Sequence, residues 1–276
     1  MHDEHPSHLA HHFETPQQQF QSGKLGIWLF LVTEILLFSG LFCAYAVYRA
    51  NHPEVFFYAH LYLSKSLGAI NTAVLIFSSF TMAAAVHAAQ VGHRRWLVAL
   101  LGVTLFCGFV FLGIKFVEYK DKWEEGLLTG QAYQPHSPPP GAKVPKIPET
   151  PTKTDAADNR AATDQPGGVA ERSTIPPAAV GPSGISQQWL TKKQEPTWVG
   201  PEPNNVQTFF GIYFAMTGLH GVHVVAGLAV IVWMMFRAMR GEFGPAYFTP
   251  IDFTGLYWHL VDLIWIFLFP LLYLIA

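Results

Sequence analysis

The sequence carries little charge for its length. Of its 276 residues only 13% are Asp, Glu, Lys or Arg, and the formal net charge at pH 7 is −2. A soluble domain has roughly 25% charged residues, so the deficit indicates a membrane protein. Clusters of Lys and Arg are also lacking, which argues against a nucleic-acid-binding surface.

Cysteine is almost absent. The chain has 2 cysteines, Cys43 and Cys107, and each lies within an apolar run. No CxxC pattern is present, which argues against a disulfide scaffold, a structural zinc site and an iron–sulfur cluster. Both residues are interpreted as small hydrophobic side chains.

Long apolar runs are what the sequence has instead. A membrane-spanning helix needs about 20 mostly apolar residues. Strand-like alternation is missing, and the first run follows a polar leader and is too long for a signal peptide. The sequence therefore predicts an all-α, polytopic membrane helix bundle with five transmembrane helices, at about residues 25–48, 67–90, 96–117, 206–236 and 254–276.

A proline-rich segment separates the third and fourth spans. Residues 126–205 hold 14 of the 20 prolines, and this composition predicts a long irregular extramembrane loop. The chain thus divides into a polar leader at 1–24, helices one to three in 25–125, the loop at 126–205, and helices four and five in 206–276. Five histidines in the leader leave open whether it binds a metal or nothing specific.

Two short loops favour one orientation of the bundle. Arg94 and Arg95 precede the third span, and Arg237 and Arg240 follow the fourth, on the side where the leader lies. The full count of Lys and Arg, without the long loop, is a tie of five on each side. By the positive-inside rule these short loops place the leader in the cytoplasm.

Several ionisable side chains fall at membrane depth. A charge at the bilayer centre costs about 2.5–3.5 kcal/mol, so such groups normally face the helix bundle and have a use. Glu34 is expected to be either protonated or paired with a neighbouring helix. The full set is Glu34, His87, Lys115, Glu118, His220, His223, His259 and Asp262.

The histidine spacing raises the possibility of a haem or metal site. GLHGVH at 218–223 and WHLVD at 258–262 each place polar residues three apart, on one side of a helix. Haem-binding bundles need histidines on facing helices at matched depth. His220 lies near the middle of its span and His259 near the start of its own, so hydrogen-bonded structural histidines are favoured over a redox site.

The glycines of spans three and four suggest close helix contacts. Gly218 and Gly221 are expected to thin the fourth span near Glu34 and to leave a polar pocket there. We further expect that His220→Leu leaves a hydrogen-bond partner unsatisfied, and so weakens docking or lipid retention more than Glu34→Gln does. The glycines in question are Gly102, Gly108, Gly113, Gly218, Gly221 and Gly227.

The chain resembles cytochrome c oxidase subunit III, of the haem–copper oxidase superfamily, through all five spans. TGLHGVHV in the fourth span and YWHLVDLIW in the fifth are similar to two long signatures of that family. The glutamate-bearing first span, the Asn71-Thr72 start and closing His87 of the second, and the Glu118-Tyr119 end of the third also match. Arg237 matches an arginine that ends the family's fourth helix.

The resemblance implies a non-catalytic subunit in the five-helix bacterial form. Such a subunit holds no haem, copper or other metal, since those centres belong to subunits I and II, which would be its partners. It is V-shaped, binds phospholipid in its cleft, and supports proton uptake and the lifetime of the catalytic subunit. It lies in the bacterial inner membrane, with its N-terminus cytoplasmic and its C-terminus and long loop external. The residues carried over to this polar, lipid-associated cleft are Glu34, His87, Glu118, His220, His223, Arg237, His259 and Asp262.

The sequence departs from the family in three places. Lys115 stands where glutamine is usual, PEPNNVQ replaces an Asp-Gly-x-Tyr-Gly run before the fourth span, and the loop at 126–205 is far longer than usual. That loop is interpreted either as a docking arm for a cytochrome or an accessory subunit, or as a passive linker.

Other functions remain open from the sequence. A quinol oxidase subunit III shares the fold and the signatures. A stand-alone proton-coupled transporter would be expected to show internal repeats, which are not found. A haem-anchoring subunit is disfavoured by the mismatched histidine depths.

Overall fold

The computed structural model describes residues 13–127, 133–135, 138–139, 202–245 and 247–275. Within these residues the chain is helical, and two isolated β-bridges take the place of any strand. The helices are α1 (Pro16–Asn51), α2 (Pro53–Ala59), a short 3₁₀ helix (His60–Tyr62), α3 (Lys65–Val91), α4 (Arg94–Glu124), α5 (Val206–Arg240) and α6 (Thr249–Tyr273).

Five of these helices are long and apolar enough to cross a membrane. They are α1, α3, α4, α5 and α6, so the predicted all-α bundle of five spanning helices is confirmed. α1, α3 and α4 extend past both ends of the predicted apolar runs, α5 extends past the end of its run, and α6 begins earlier and ends earlier than predicted. Residues 1–12 of the leader and most of the loop at 126–205 fall outside the described residues, and α1 already begins at Pro16.

Local sequence accounts for where the helices begin and end. The Thr15 hydroxyl accepts a hydrogen bond from the Gln18 amide at 3.1 Å and caps α1. Gly92 ends α3 and Gly241 ends α5, each with φ near +80°, a conformation that glycine adopts without strain. These two glycines allow the short turns after α3 and α5.

Helices α3 to α6 form the core of the bundle. α3 packs against α4 and α6, and α5 packs against α4 and α6. Trp258 and Trp265 of α6 and Phe111 of α4 are fully buried between them. α1 contacts α5 and α6 but exposes most of its large apolar side chains, as expected for a helix facing lipid.

Only some of the predicted glycine contacts are present. A Cβ on Gly227 would lie 2.9 Å from the Trp258 ring, and one on Gly108 would overlap the Leu228 side chain. Gly221, by contrast, has open space around it, and Gly218 has only the Tyr119 hydroxyl at 3.8 Å. The expectation of a close helix contact at Gly221 is therefore wrong, and the same holds for Gly102 and Gly113.

Candidate functional site

The first polar cluster joins α1 to α5 near the middle of both helices. Glu34 Oε2 lies 2.7 Å from His223 Nε2, and each side chain is only 15% exposed. The edge of the Phe38 ring covers the imidazole, and the Tyr257 hydroxyl of α6 donates to the His223 carbonyl at 3.1 Å. The prediction that Glu34 pairs with a neighbouring helix is confirmed.

The second imidazole nitrogen of His223, Nδ1, also has a hydrogen-bond partner, and this partner shows that Nδ1 is protonated. His223 Nδ1 lies 2.8 Å from the Leu219 carbonyl, and a carbonyl can only accept, so Nδ1 carries a proton. Nε2 then either accepts the proton of a neutral Glu34 or donates its own to a Glu34 carboxylate. In both cases one proton lies between the two side chains, and moving it from one side chain to the other leaves the net charge of the pair unchanged.

The second cluster lies between the end of α4, the start of α5 and the end of α6. Lys115 Nζ is 2.8 Å from Glu118 Oε2, and the hydroxyls of Tyr213 and Tyr273 donate to Glu118 Oε1 at 3.0 and 2.5 Å. Lys115 Nζ also reaches the same two hydroxyls, at 3.2 and 2.9 Å. All four side chains are buried. We call this group the Lys115–Glu118 cluster.

The Lys115–Glu118 cluster satisfies its charges internally. An ammonium has three donors, and Lys115 has three oxygen partners. The Trp265 ring lies 4.9 Å from Nζ and adds a cation–π contact. Lys115 therefore forms a buried ion pair whose hydrogen bonds connect α4, α5 and α6.

Sequence reasoning did not assign Tyr213 and Tyr273 to any site. A signal was present, since Lys115 and Glu118 lie three apart on one helix face. The contribution of the two tyrosines becomes visible only from the topology. α5 begins and α6 ends on the side of the membrane where α4 ends, so Tyr213 and Tyr273 lie near Lys115 and Glu118.

His220 lies apart from the hydrogen-bonded clusters. Its ring is fully buried, with the Phe111 ring edge-on at 5.5 Å and the Trp265 indole at 5.2 Å. Neither ring nitrogen has a hydrogen-bond partner among the described residues. Among the described residues the expected partner of His220 is therefore not found, and the ring packs against aromatic side chains.

Polar side chains join α3 to α6 along their length. The indole nitrogens of Trp258 and Trp265 donate to the hydroxyls of Ser78 and Thr72, at 2.9 and 3.1 Å. Between them, His259 Nδ1 lies 2.6 Å from the Ser79 hydroxyl. This gives His259 a structural partner on α3.

Asp262 lies one turn further along α6 and is 2% exposed. Neither carboxyl oxygen of Asp262 has a hydrogen-bond partner in the described part of the chain. A buried carboxyl in this setting is costly to ionise.

The remaining two predicted residues lie at the surface. Arg237 Nε donates to Glu242 at 2.6 Å, and its guanidinium stacks 5.0 Å from the centre of the Phe243 ring. His87 is exposed on α3. The structure thus brings Glu34 together with His223, and Glu118 with Lys115, but distributes the other predicted site residues among separate surroundings.

The arrangement does not place His220 and His259 as a ligand pair, since each ring has its own neighbours on other helices. Within the described ranges no three His, Cys, Asp or Glu side chains are grouped to hold a metal ion. The fold and these clusters define a multi-pass membrane protein with ionisable groups held between its spanning helices.

Comparison with known proteins points to one family. The sequence profile described as cytochrome c oxidase subunit III matches residues 205–276, which include the paired histidines of α5 and all of α6. The chain is 26% identical to cytochrome c oxidase subunit 3 of Thermostichus vulcanus over 91% of this chain and 87% of that protein. It is 24% identical to quinol oxidase subunit 3 of Bacillus spizizenii over 98% of this chain and 97% of that protein.

A third relative also carries the name of a quinol-type oxidase subunit. Cytochrome bo(3) ubiquinol oxidase subunit 3 of Pseudomonas putida is 23% identical over 91% of this chain and 85% of its own length. These matches confirm the resemblance to subunit III of a haem–copper oxidase. They support membership of a respiratory oxidase complex and association with other oxidase subunits.

Proposed function

We propose that this chain is the non-redox third subunit of a proton-pumping terminal oxidase in aerobic electron transport. It associates with subunits I and II, binds no haem or copper itself, and supports proton uptake by the catalytic subunit and the stability of that subunit. The observation that carries the proposal is the hydrogen-bonded Glu34–His223 pair at mid-depth of two spanning helices.

The environment of the pair suits a supporting role. Both side chains are mostly buried, yet α1 has little protein around it, so the pair lies close to the boundary with lipid or with another subunit. A proton shared there moves between Glu34 and His223 without changing the net charge of the pair, whereas passing a proton on would leave a charge at mid-depth. This favours a supporting group beside a proton path over an obligatory step in it.

Phospholipid is the proposed ligand of the same subunit. Arg237 pairs through Nε with Glu242 and stays partly exposed, and its guanidinium is the proposed contact for a lipid phosphate. The Trp233 ring stacks on the Arg237 guanidinium at 5.4 Å, and tryptophan favours the membrane interface.

The leader side is proposed to be cytoplasmic and the loop side external. Labelling of a cysteine introduced at Ser137 with a membrane-impermeant reagent tests this orientation.

A quinol oxidase subunit III is the second candidate. Relatives with either name match this chain at similar identity, 26% and 24%, and the quinol oxidase relative covers slightly more of it. The resemblance assigns the choice of electron donor to subunit II. Oxygen consumption by the purified complex with reduced cytochrome c or with a quinol decides between the two donors.

The supporting role is tested on the complex with and without this chain. We expect the haem spectra to be unchanged when the chain is removed, while proton uptake slows and activity is lost faster during turnover. Glu34→Gln should show a weaker form of the same defect, and Glu54→Gln, an exposed carboxyl on α2, should show none. If Glu34→Gln abolishes activity from the first turnover in an intact complex, Glu34 is an obligatory proton carrier and the proposal fails.

A further inference from the structure

A groove lies at the end of the bundle where α4 begins and α5 ends. It is lined by Arg94, Arg95, Val98, Ala99 and Met239 and has a volume of about 490 Å³. Pockets that hold small molecules occupy roughly 300–1,000 Å³, so the space is sufficient for a polar headgroup. We call it the α4–α5 groove.

The groove combines a charged rim with an apolar floor. Arg94 and Arg95 are the first two residues of α4, and Val98 and Ala99 follow one turn later, about 6 Å further along the helix axis. Because α4 spans the membrane, the arginines lie at headgroup level and the apolar residues lie deeper. The adjoining Trp96 is 65% exposed, as is typical of an aromatic residue at the membrane interface.

Backbone contacts hold one side of the rim in place. Arg94 Nε donates to the Ala238 carbonyl at 3.2 Å, and its Nη2 donates to the Met239 carbonyl. These carbonyls lie in the last turn of α5, where the negative end of the helix dipole attracts a cation, and the Ala238 carbonyl also accepts from the Gly241 amide. Arg94 thereby fixes the width of the groove where α4 meets α5.

The rim has no acid to neutralise it. In the part of the chain that the structure describes, no carboxylate lies within ion-pair distance of Arg94 or Arg95, whereas Arg237 at the same end pairs with Glu242 at 2.6 Å. The groove therefore presents fixed positive charge next to apolar surface. That combination fits an anion that carries a hydrocarbon chain.

We propose that the α4–α5 groove binds an anionic phospholipid, with the phosphate on Arg95 and the free edge of Arg94 and an acyl chain along Val98, Ala99 and Met239. Inorganic phosphate offers the same charge but would leave the apolar floor uncovered. The inference does not depend on the proposed oxidase role, because the groove is built from this chain alone.

The test counts lipids retained by the full-length chain, purified in detergent with whatever subunits accompany it. Native mass spectrometry follows phosphatidylglycerol binding to the wild type, Arg95→Gln and Ala99→Trp, the last of which fills the apolar floor without changing charge. Arg240→Gln is the matched control, since Arg240 is an exposed arginine at the same end of the bundle that does not line the groove.

We expect both groove variants to retain one phosphatidylglycerol fewer and to bind it roughly tenfold more weakly, Arg95→Gln because one charge-assisted contact is lost and Ala99→Trp because the acyl chain is displaced. Arg240→Gln should match the wild type, and phosphatidylcholine should not fill the site. Equal losses of phosphatidylglycerol binding in Arg95→Gln and Arg240→Gln would show that only the general surface charge matters, and would overturn the proposal. The absence of a loss in both groove variants would overturn it as well. Displacement of the lipid by millimolar inorganic phosphate would identify a free-anion site instead.

Discussion

Two buried histidines one turn apart on α5 differ in whether the protein gives them partners. His223 has Glu34 and the Leu219 carbonyl, one for each ring nitrogen. His220 has aromatic rings on both sides and no protein partner in the described residues. The same residue type in the same span therefore has different energetic consequences.

This contrast reverses the order of mutational effects expected from the sequence. Glu34→Leu leaves His223 Nε2 without its partner and should destabilise the folded chain by about 1–3 kcal/mol. His220→Leu removes two unpaired nitrogens and leaves no partner behind, so its cost should stay below about 1 kcal/mol. The measurement is the midpoint of unfolding of the purified protein in detergent.

Glu34→Gln serves as the control, because the amide keeps a hydrogen bond to His223. It should recover most of the stability that Glu34→Leu loses. A larger loss in His220→Leu than in Glu34→Leu would contradict this ordering and would show that His220 holds a partner outside the described residues.

The Lys115–Glu118 cluster predicts strong coupling between two side chains. Removing one member of a buried ion pair leaves an uncompensated charge and costs about 3–5 kcal/mol. Lys115→Met and Glu118→Gln should each be strongly destabilising, while the double variant should be less destabilised than the sum, by about 1–3 kcal/mol. Unfolding of all four proteins under the same conditions measures this coupling.

An exposed pair on the same helix provides the comparison. Lys120 and Glu124 lie 3.6 Å apart with side chains 63% and 64% exposed. Their coupling should be below about 0.5 kcal/mol, because water screens both charges. Equal coupling in the two pairs would mean that burial does not strengthen the Lys115–Glu118 interaction.

The sequence predicted some members of these clusters and did not predict others. Glu34 was detectable because a carboxyl in an apolar run needs a partner, but nothing in the sequence specified His223 rather than His220. The choice between them depends on the rotation of α5 against α1, which side chains far apart in the sequence determine. Tyr213 and Tyr273 resemble interfacial tyrosines until the ends of α4, α5 and α6 are brought together.

At the level of elements, the five spanning helices follow from their apolar runs alone. The helix ends were less predictable, since α1 and α4 continue for several residues beyond their apolar runs. Hydropathy reports where lipid contacts a helix, whereas hydrogen bonding determines where it stops. Glycine positions gave the least reliable prediction, because a small residue faces either a neighbouring helix or lipid and the sequence does not distinguish the two.

Two glycines on α5 differ in whether they face a neighbouring helix or open space, and we predict opposite effects of replacing them by alanine. Gly227→Ala places a Cβ 2.9 Å from the rigid Trp258 ring, and such overpacking should cost about 1–3 kcal/mol. Gly221→Ala meets open space and should be neutral or stabilising by up to about 1 kcal/mol, because alanine favours a helix more than glycine does. Thermal midpoints of the two variants should therefore shift in opposite directions, and equal decreases would contradict the observed α5–α6 contact.

For the whole molecule, the question is whether the bundle depends on the segment that interrupts it. α4 and α5 contact each other directly, with the Tyr119 and Thr217 hydroxyls 2.5 Å apart. Beside the helix ends, the Tyr133 hydroxyl donates to Glu202 at 2.5 Å. Partial burial, together with the Glu202 carboxylate, raises the pKa of Tyr133, so the phenol keeps the proton that it donates.

These contacts predict that residues 135–195 can be removed without loss of the fold. The deletion retains Tyr133 and Glu202 and joins the chain at the end of the bundle where α4 ends and α5 begins. Membrane insertion, association with the other oxidase subunits and the thermal midpoint should remain close to those of the full chain.

Kinetics of the same deletion variant distinguish the two roles of the segment. If the segment docks a cytochrome, the KM for that cytochrome should rise while kcat with a small artificial donor stays unchanged. If the segment is a passive linker, neither should change. Tyr133→Phe within the deletion variant removes the 2.5 Å contact and tests whether it holds the shortened connection in place. Complete loss of the folded subunit on deletion would show that the segment is a structural part of the bundle, and the interpretation of its composition would then be wrong.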